Sequence, residues 1–139
     1  MTYDEKKRLL EAYRRTPQAI SRLRLLIKEL ESEAEHITAV ISGDGGGGYS
    51  VDTEKLQRCV EKLDDAKMRL LAEEAELSEK RAAVLEGISA LEDERERAVL
   101  HGHYVQGKSF QALCFTMSYS RRQIFRILGH AINNIYINI

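Results

Sequence analysis

The sequence is short of the residues that build disulfide frameworks, β-sandwiches and membrane spans. It has no tryptophan, one proline and two cysteines, and aromatic residues make up 6% of its 139 residues. Cys59 and Cys114 are too few for a disulfide framework and have no metal-ligand spacing, which favours a reducing cytoplasm. No apolar run approaches the roughly eighteen residues of a membrane span, so we expect no membrane partner. From 139 residues we expect one compact domain, or one long hairpin with a very small domain, and not a large multidomain enzyme.

What is present favours helices, and the charge is unevenly distributed. Leucine, alanine, glutamate, lysine and arginine dominate, which predicts an all-α protein. The net charge is −1, from 21 basic and 22 acidic residues. Residues 98–139 contain four of the bases and no acid, whereas the first 97 residues hold all the acids. We therefore expect the two parts to face different partners.

Two heptad repeats predict a long antiparallel helical hairpin, a coiled coil, over residues 1–91. Thr2 and Glu5 form a capping box for a short opening helix, and Thr16 with Pro17 then starts a new one. The seam of this helix is Ile20, Leu23, Ile27, Leu30, Ala34, Ile37 and Ile41. A flexible glycine-rich loop at 43–50 precedes a second helix, from about Thr53 to Leu91 and capped by Asp52.

The second seam repeats every seven residues but has a polar partner position. Its apolar members are Leu56, Leu63, Leu70, Leu77, Val84 and Leu91, supplemented by Val60 and Ile88. Lys67, Glu74 and Arg81 occupy the polar position. They either set the register and invite a second chain, or extend to solvent at the edge of the seam. We expect a homodimer through the hairpin.

Residues 92–139 predict a helix-turn-helix domain. An apolar helix around Leu100 ends near Gly107, and Ser109 caps a short helix that runs to about Thr116. A tight turn leads to Ser120, which with Gln123 forms a capping box at the start of the last helix. Two short helices, a turn and an arginine-rich third helix are typical of proteins that bind the major groove of DNA.

The arginines of the last helix are the candidate base-reading residues. Arginine donates two parallel hydrogen bonds to guanine, and Arg122 and Arg126 lie on one helical face. The predicted base-reading set is Arg121, Arg122, Gln123 and Arg126, with Gln123 either reading adenine or serving the capping box. The predicted phosphate-contacting set is Lys108, Ser109, Tyr119 and Ser120. Double-stranded DNA is the expected partner.

The runs from Glu96 to Cys114 and from Ser118 to Ile124 resemble region four of bacterial sigma factors without gaps. The whole chain resembles short phage and prophage proteins related to the late-gene regulators of ArpU and RinA type. Residues 119–126 match their "YS-x-R-x-h-x-R" recognition helix. The resemblance implies a DNA-binding transcriptional regulator in a bacterial cytoplasm, with RNA polymerase as a further partner. The chain departs from the sigma pattern at Gly102, His103, Ser118 and Cys114.

Other motifs point to no chemistry. Residues 102–109 fit the phosphate-loop pattern G-x-x-x-x-G-K-[ST], but a phosphate loop follows a buried strand, and a helix is predicted here. His101 and His103 point to different sides of a helix, and the other histidines are isolated. The sequence contains no recognisable Ser/His/Asp or Cys/His group for nucleophilic catalysis. We expect no enzyme activity, no cofactor and no metal.

Two other functions use the same parts. A DNA-packaging protein similar to a small terminase would bind phage DNA and assemble into a ring through its coiled coil. A coiled-coil adaptor would use the C-terminal domain to bind protein rather than DNA. Oligomeric state distinguishes the packaging protein, which would form a ring, from a regulator. The response of DNA affinity to salt distinguishes the adaptor, which would show none, from a DNA-binding regulator.

Overall fold

The computed structural model describes residues 1–43 and 49–139, and these are helical with no strand. The all-α prediction is confirmed for them. The helices are α1 (Tyr3–Gly43), α2 (Tyr49–Ser89), α3 (Glu94–Leu100), a π-helical turn (His101–Val105), α4 (Phe110–Met117) and α5 (Arg121–Asn134). The last four elements, from α3 to α5, have five to fourteen residues. Helix α3 continues into the π-helical turn, and the caps at Ser109 and Ser120 and the left-handed Gly107 and Ser118 interrupt the chain after it.

Helix α1 is continuous, so the predicted restart at Thr16 and Pro17 is wrong. The capping box at its start is confirmed: the Thr2 hydroxyl accepts from the Glu5 backbone at 3.2 Å, and the Glu5 carboxylate accepts from the Thr2 backbone at 2.9 Å. Pro17 lies inside the helix. Its ring removes one backbone donor, and the Thr16 hydroxyl donates to the Ala12 carbonyl at 2.8 Å in the same turn.

Helix α2 begins earlier than the sequence predicts. Gly43 belongs to α1, and Tyr49 and Ser50 belong to α2, so both ends of the predicted loop at 43–50 are helical. Asp52 therefore lies inside α2 and not at its cap. The remainder of the predicted loop, residues 44–48, lies outside the described residues.

The chain divides into two compact units, and α1 and α2 each run through both. Unit 1 comprises residues 1–17 and 76–139, and unit 2 comprises residues 18–75. The sequence places a domain boundary between residues 91 and 92, and that boundary stays a prediction. In unit 1, the first four turns of α1 belong with the C-terminal helices.

The core of unit 1 contains residues from the N-terminal helix and from the C-terminal third of the sequence. Leu10 and Tyr13 of α1 are buried in one cluster with residues of α2, α3 and α5. The other buried members are Val84, Ile88, Leu91, Val99, Leu100, Tyr104, Leu113, Ile124, Leu128, Ala131, Ile132, Ile135 and Ile137. Helix α3 packs on α5, and α4 packs on both α5 and the π-helical turn. Burial of this apolar surface stabilises the short helices, which are too short to persist alone.

In unit 2 the predicted seam is confirmed at most positions and differs at one. Ile27, Leu30, Ala34 and Ile37 of α1 and Leu56, Leu63 and Leu70 of α2 form one cluster, as predicted. Cys59 and Ala66 are buried with Ile27, Leu30 and Ile37, whereas Val60 is 41% exposed. The Cys59 thiol donates to the Leu30 carbonyl at 3.3 Å. The expected seam position at Val60 and Lys67 is therefore wrong by one residue, because α2 turns Cys59 and Ala66 toward α1.

The polar residues of the second repeat lie beside this seam and bind α1. The Lys67 ammonium is 3.7 Å from the Glu31 carboxylate, and the Arg24 guanidinium is 2.9 Å from the Glu74 carboxylate. All four side chains are at least 40% exposed. The interpretation that these residues extend to solvent at the edge of the seam is thus confirmed for Lys67 and Glu74.

Candidate nucleic-acid interface

The candidate site is built on the α4–turn–α5 segment of unit 1. The Ser109 hydroxyl accepts from the Ala112 backbone at 3.1 Å and starts α4, as the sequence predicts. Ser118 has a left-handed backbone with φ 56°, and it ends α4. Three residues, 118–120, connect α4 to α5, which begins at Arg121.

The predicted capping box fixes the start of α5. The Ser120 hydroxyl accepts from the Gln123 backbone at 3.2 Å, and the Gln123 side-chain oxygen accepts from the Ser120 backbone at 2.9 Å. Gln123 thus serves the capping box, one of the two roles left open by the sequence. Adenine reading stays a prediction for its amide nitrogen.

Helix α5 has one buried face and one arginine-bearing face. Ile124, Leu128 and Ile132 are buried, which anchors the helix to α3 and α4. Arg121, Arg122, Gln123 and Arg126 are all exposed. The Arg121 guanidinium lies 5.5 Å from the centre of the Phe125 ring, a cation–π contact that limits its freedom. The structure therefore presents all four predicted base-reading residues on one helix.

The four predicted phosphate-contacting residues flank the beginnings of α4 and α5. Lys108, Ser109 and Ser120 are exposed, and Tyr119 is partly buried. Ser109, Tyr119, Ser120 and Arg121 line one groove of about 770 Å³ together with Phe110, Gln111 and Cys114. Lys108 does not line this groove and lies one residue outside it. The groove brings the first turns of both helices to one surface.

Sequence reasoning missed Arg95, at the start of α3. Arg95, Tyr119, Gln123, Arg126 and His130 line a second cleft, of about 270 Å³, with Asp93, Glu96 and Ile127. The sequence offers one signal for it: Arg95 lies within the acidic residues 92–96, a composition that favours the start of a helix.

The charged side chains around Arg95 form local hydrogen bonds. The backbone N–H of Arg95 donates to Asp93 at 2.9 Å, and this bond and the Arg95 guanidinium hold the pKa of Asp93 below its usual value. The same pair, with Tyr119 nearby, raises the pKa of Arg95. Glu96 is buried, and its carboxylate accepts from the Asn134 amide at 3.2 and 3.4 Å. Arg95 is therefore a positive charge that is paired with Asp93 at 3.4 Å and lines the same cleft as Arg126.

The segment that fits the phosphate-loop pattern, residues 102–109, begins inside the π-helical turn and ends in irregular backbone before α4. Gly102 is buried in the π-helical turn, and a Cβ there would lie 2.6 Å from a methyl carbon of Leu113. Gly107 has φ +74° and ends this helical stretch, as predicted. The backbone N–H groups of Gln106 and Lys108 donate to the carbonyls of His101 and Gly102, so these two donors do not point toward a phosphate.

His103 is a buried structural histidine. Its Nδ1 lies 2.7 Å from the Lys108 carbonyl, and its ring stacks on Phe110 at 3.9 Å. Burial lowers the pKa of His103 below its ordinary value, although the bond to Lys108 acts in the opposite direction. The centres of the Phe110 and Phe125 rings are 4.9 Å apart. A series of three aromatic rings therefore extends from His103 to α5, where Phe125 also contacts Arg121.

Comparisons with known proteins give no relative. No family model, no curated protein and no solved structure matches the chain. Within the ranges 1–43 and 49–139, no helix combines the length and apolar character that crossing a bilayer requires. In the same ranges no three His, Cys, Asp or Glu side chains are grouped to hold a metal ion.

Proposed function

We propose that this chain is a non-enzymatic DNA-binding regulator of transcription, of the phage type that resembles region four of sigma factors. The helix-turn-helix of this proposal is α4 and α5, and α5 is the recognition helix. Its N-terminal arginines read duplex DNA in the major groove, while residues at the starts of α4 and α5 contact phosphates.

One observation carries the proposal. Arg121, Arg122, Gln123 and Arg126 are exposed on the first two turns of α5, while Ile124 and Leu128 on the same helix are buried. A helix anchored by its apolar side and bearing arginines at its free N-terminal end is the arrangement that a major-groove reader needs. The absence of any acid from residues 98–139 supports a polyanionic partner for this face.

The rest of the chain supplies the second part of the proposal, an antiparallel hairpin that mediates assembly. Glu31 lies one heptad after Arg24, and its partner Lys67 lies one heptad before Glu74, so the paired residues run in opposite order along α1 and α2. An isolated domain of this size makes few base contacts, and a second copy multiplies them. We therefore propose a homodimer through this hairpin, and RNA polymerase as a further partner.

The test is capture of sheared genomic DNA by the full-length protein, followed by sequencing. We expect enrichment of discrete sites upstream of a gene block. The Arg121/Arg122/Arg126 triple-alanine variant should lose this enrichment because three of the four proposed base-reading side chains are removed. A matched variant, Arg22/Arg58/Arg69 to alanine, removes three exposed charges from unit 2 and should retain it.

The outcomes separate the alternative functions. Equal enrichment by the wild type and the α5 variant would contradict the proposal, and no enrichment by either would favour a protein-binding adaptor. Sites at a packaging start, with light scattering that gives a ring of many subunits, would favour a packaging protein. A dimer with promoter-proximal sites would support the regulator.

A further inference from the structure

We infer that helix α1 is part of the DNA interface and that Arg15 binds a backbone phosphate beside Ser109. This inference rests on the proposed function, but it adds a residue 105 positions before Ser120 that no motif assigns. The ligand is a phosphodiester of duplex DNA. The site is formed only when α1 and α4 are folded together.

Hydrogen bonds seat α1 against the segment that precedes α4. The Arg14 side chain donates from Nε to the His103 carbonyl at 3.0 Å and from a terminal nitrogen to the Gly107 carbonyl at 3.2 Å. Both acceptors lie within six residues of Ser109. Because Arg14 is used in this way, the next residue, Arg15, is placed at the edge of the same surface with its side chain 75% exposed.

A cleft of about 350 Å³ lies between these elements. Glu11, Arg14, Arg15, His103, Ser109 and Phe110 line it. Ser109 and Phe110 also line the groove that contains Ser120 and Arg121. The surface that begins at Arg15 is therefore continuous with the surface at the start of α5, across the first turn of α4.

The charges and dipoles of this cleft suit a phosphate. The N-terminus of α4 carries a partial positive charge, and Lys108 precedes its cap. Arginine binds phosphate through two parallel N–H groups. The one acid of the cleft, Glu11, is 3.8 Å from the Arg15 guanidinium in an exposed pair, which is weak and is readily replaced by a stronger anion.

The experiment measures the affinity of the full-length protein for a mixed-sequence duplex between about 50 and 200 mM salt. We expect Arg15→Gln to weaken binding about fivefold and to reduce the slope of log affinity against log salt by about one. Arg15→Lys keeps the charge and should keep the slope. Glu11→Gln frees Arg15 and should strengthen binding, but not in the Arg15→Gln background.

Controls separate this inference from the proposed function. Arg22→Gln removes an exposed arginine one heptad further along α1, in unit 2, and should change neither the affinity nor the slope. If Arg126→Gln weakens binding while Arg15→Gln behaves as Arg22→Gln does, the inference is overturned and the proposed function stands. If the wild type does not bind the duplex, both are overturned.

Discussion

The Arg14 side chain donates a hydrogen bond to the backbone carbonyl of His103, 89 residues later in the sequence. This bond joins the first helix to the π-helical turn that precedes α4. In the same unit, the Lys6 ammonium donates to the Asn133 carbonyl at 3.0 Å, near the end of α5. The N-terminal turns of α1 are thus part of the fold that holds the arginine face in place.

Leu10→Ala should destabilise the C-terminal helices. Leu10 is fully buried in the core of unit 1, so its truncation leaves a cavity and costs about 2–5 kcal/mol. Amide hydrogen exchange in α3 and α5 measures the effect. Leu25→Ala is the matched control on the same helix, because Leu25 is 58% exposed and should cost less than about 0.5 kcal/mol. Equal protection of α5 in both variants would contradict the shared core.

Two glycine-to-alanine substitutions should act in opposite directions. A Cβ at Gly87 would lie 2.5 Å from the Tyr136 carbonyl oxygen, so Gly87→Ala forces the backbone apart and should cost about 1–3 kcal/mol. A Cβ at Gly129, inside α5, meets nothing within 4 Å, so Gly129→Ala should stabilise by about 0.5–1 kcal/mol. Urea denaturation followed by circular dichroism measures both. A stabilising Gly87→Ala would contradict the close approach of α2 to the C-terminal segment.

His103 should make unit 1 less stable in mild acid. Above its ordinary pKa of 6.5, the ring is neutral in the folded and the unfolded chain and has no effect on the pH dependence. Below pH 6.5 the unfolded chain binds the proton more readily, because burial lowers the pKa of the folded ring. As the pH falls from 6.5 to the lowered pKa of the folded ring, the free energy of unfolding therefore decreases.

The comparison that isolates His103 is His103→Gln, whose amide can donate to the Lys108 carbonyl without titrating. We expect a smaller difference in Tm between pH 7.5 and pH 5.5 than in the wild type. His130→Gln replaces an exposed histidine and should keep the wild-type difference. An unchanged pH dependence in the His103 variant would show that the buried ring is not its source.

Adjacent positions in α2 should respond differently to glutamine. Ala66 is 4% exposed against α1, so Ala66→Gln overfills the seam and buries an amide, at a cost of about 2 kcal/mol or more. Lys67→Gln removes only an exposed ion pair with Glu31 and should cost less than about 1 kcal/mol. Thermal unfolding of the two variants measures the difference. If Lys67→Gln destabilised the protein more than Ala66→Gln, residue 67 rather than residue 66 would face α1, as the heptad pattern predicts.

The sequence by itself determined the helical class and the ends of the short helices. The caps at Ser109 and Ser120 and the left-handed Gly107 lie within three residues of the groups that they affect, so local chemistry decides them. The burial of Ile124 and Leu128 was predictable for the same reason, since their spacing fixes one face of α5. Once this apolar face is buried, the arginines at the other positions of the helix are left exposed.

Only the tertiary structure decided which faces meet. Whether Ala66 or Lys67 faces α1 depends on a rotation of about 100° between adjacent residues, and packing selects it. The spacing of Leu10 and Tyr13 is that of any amphipathic helix, and nothing in it names the C-terminal core as their partner. The approach of Arg14 and Arg15 to Ser109 has the same origin, because contacts between residues 90 apart are products of packing and not of local pattern.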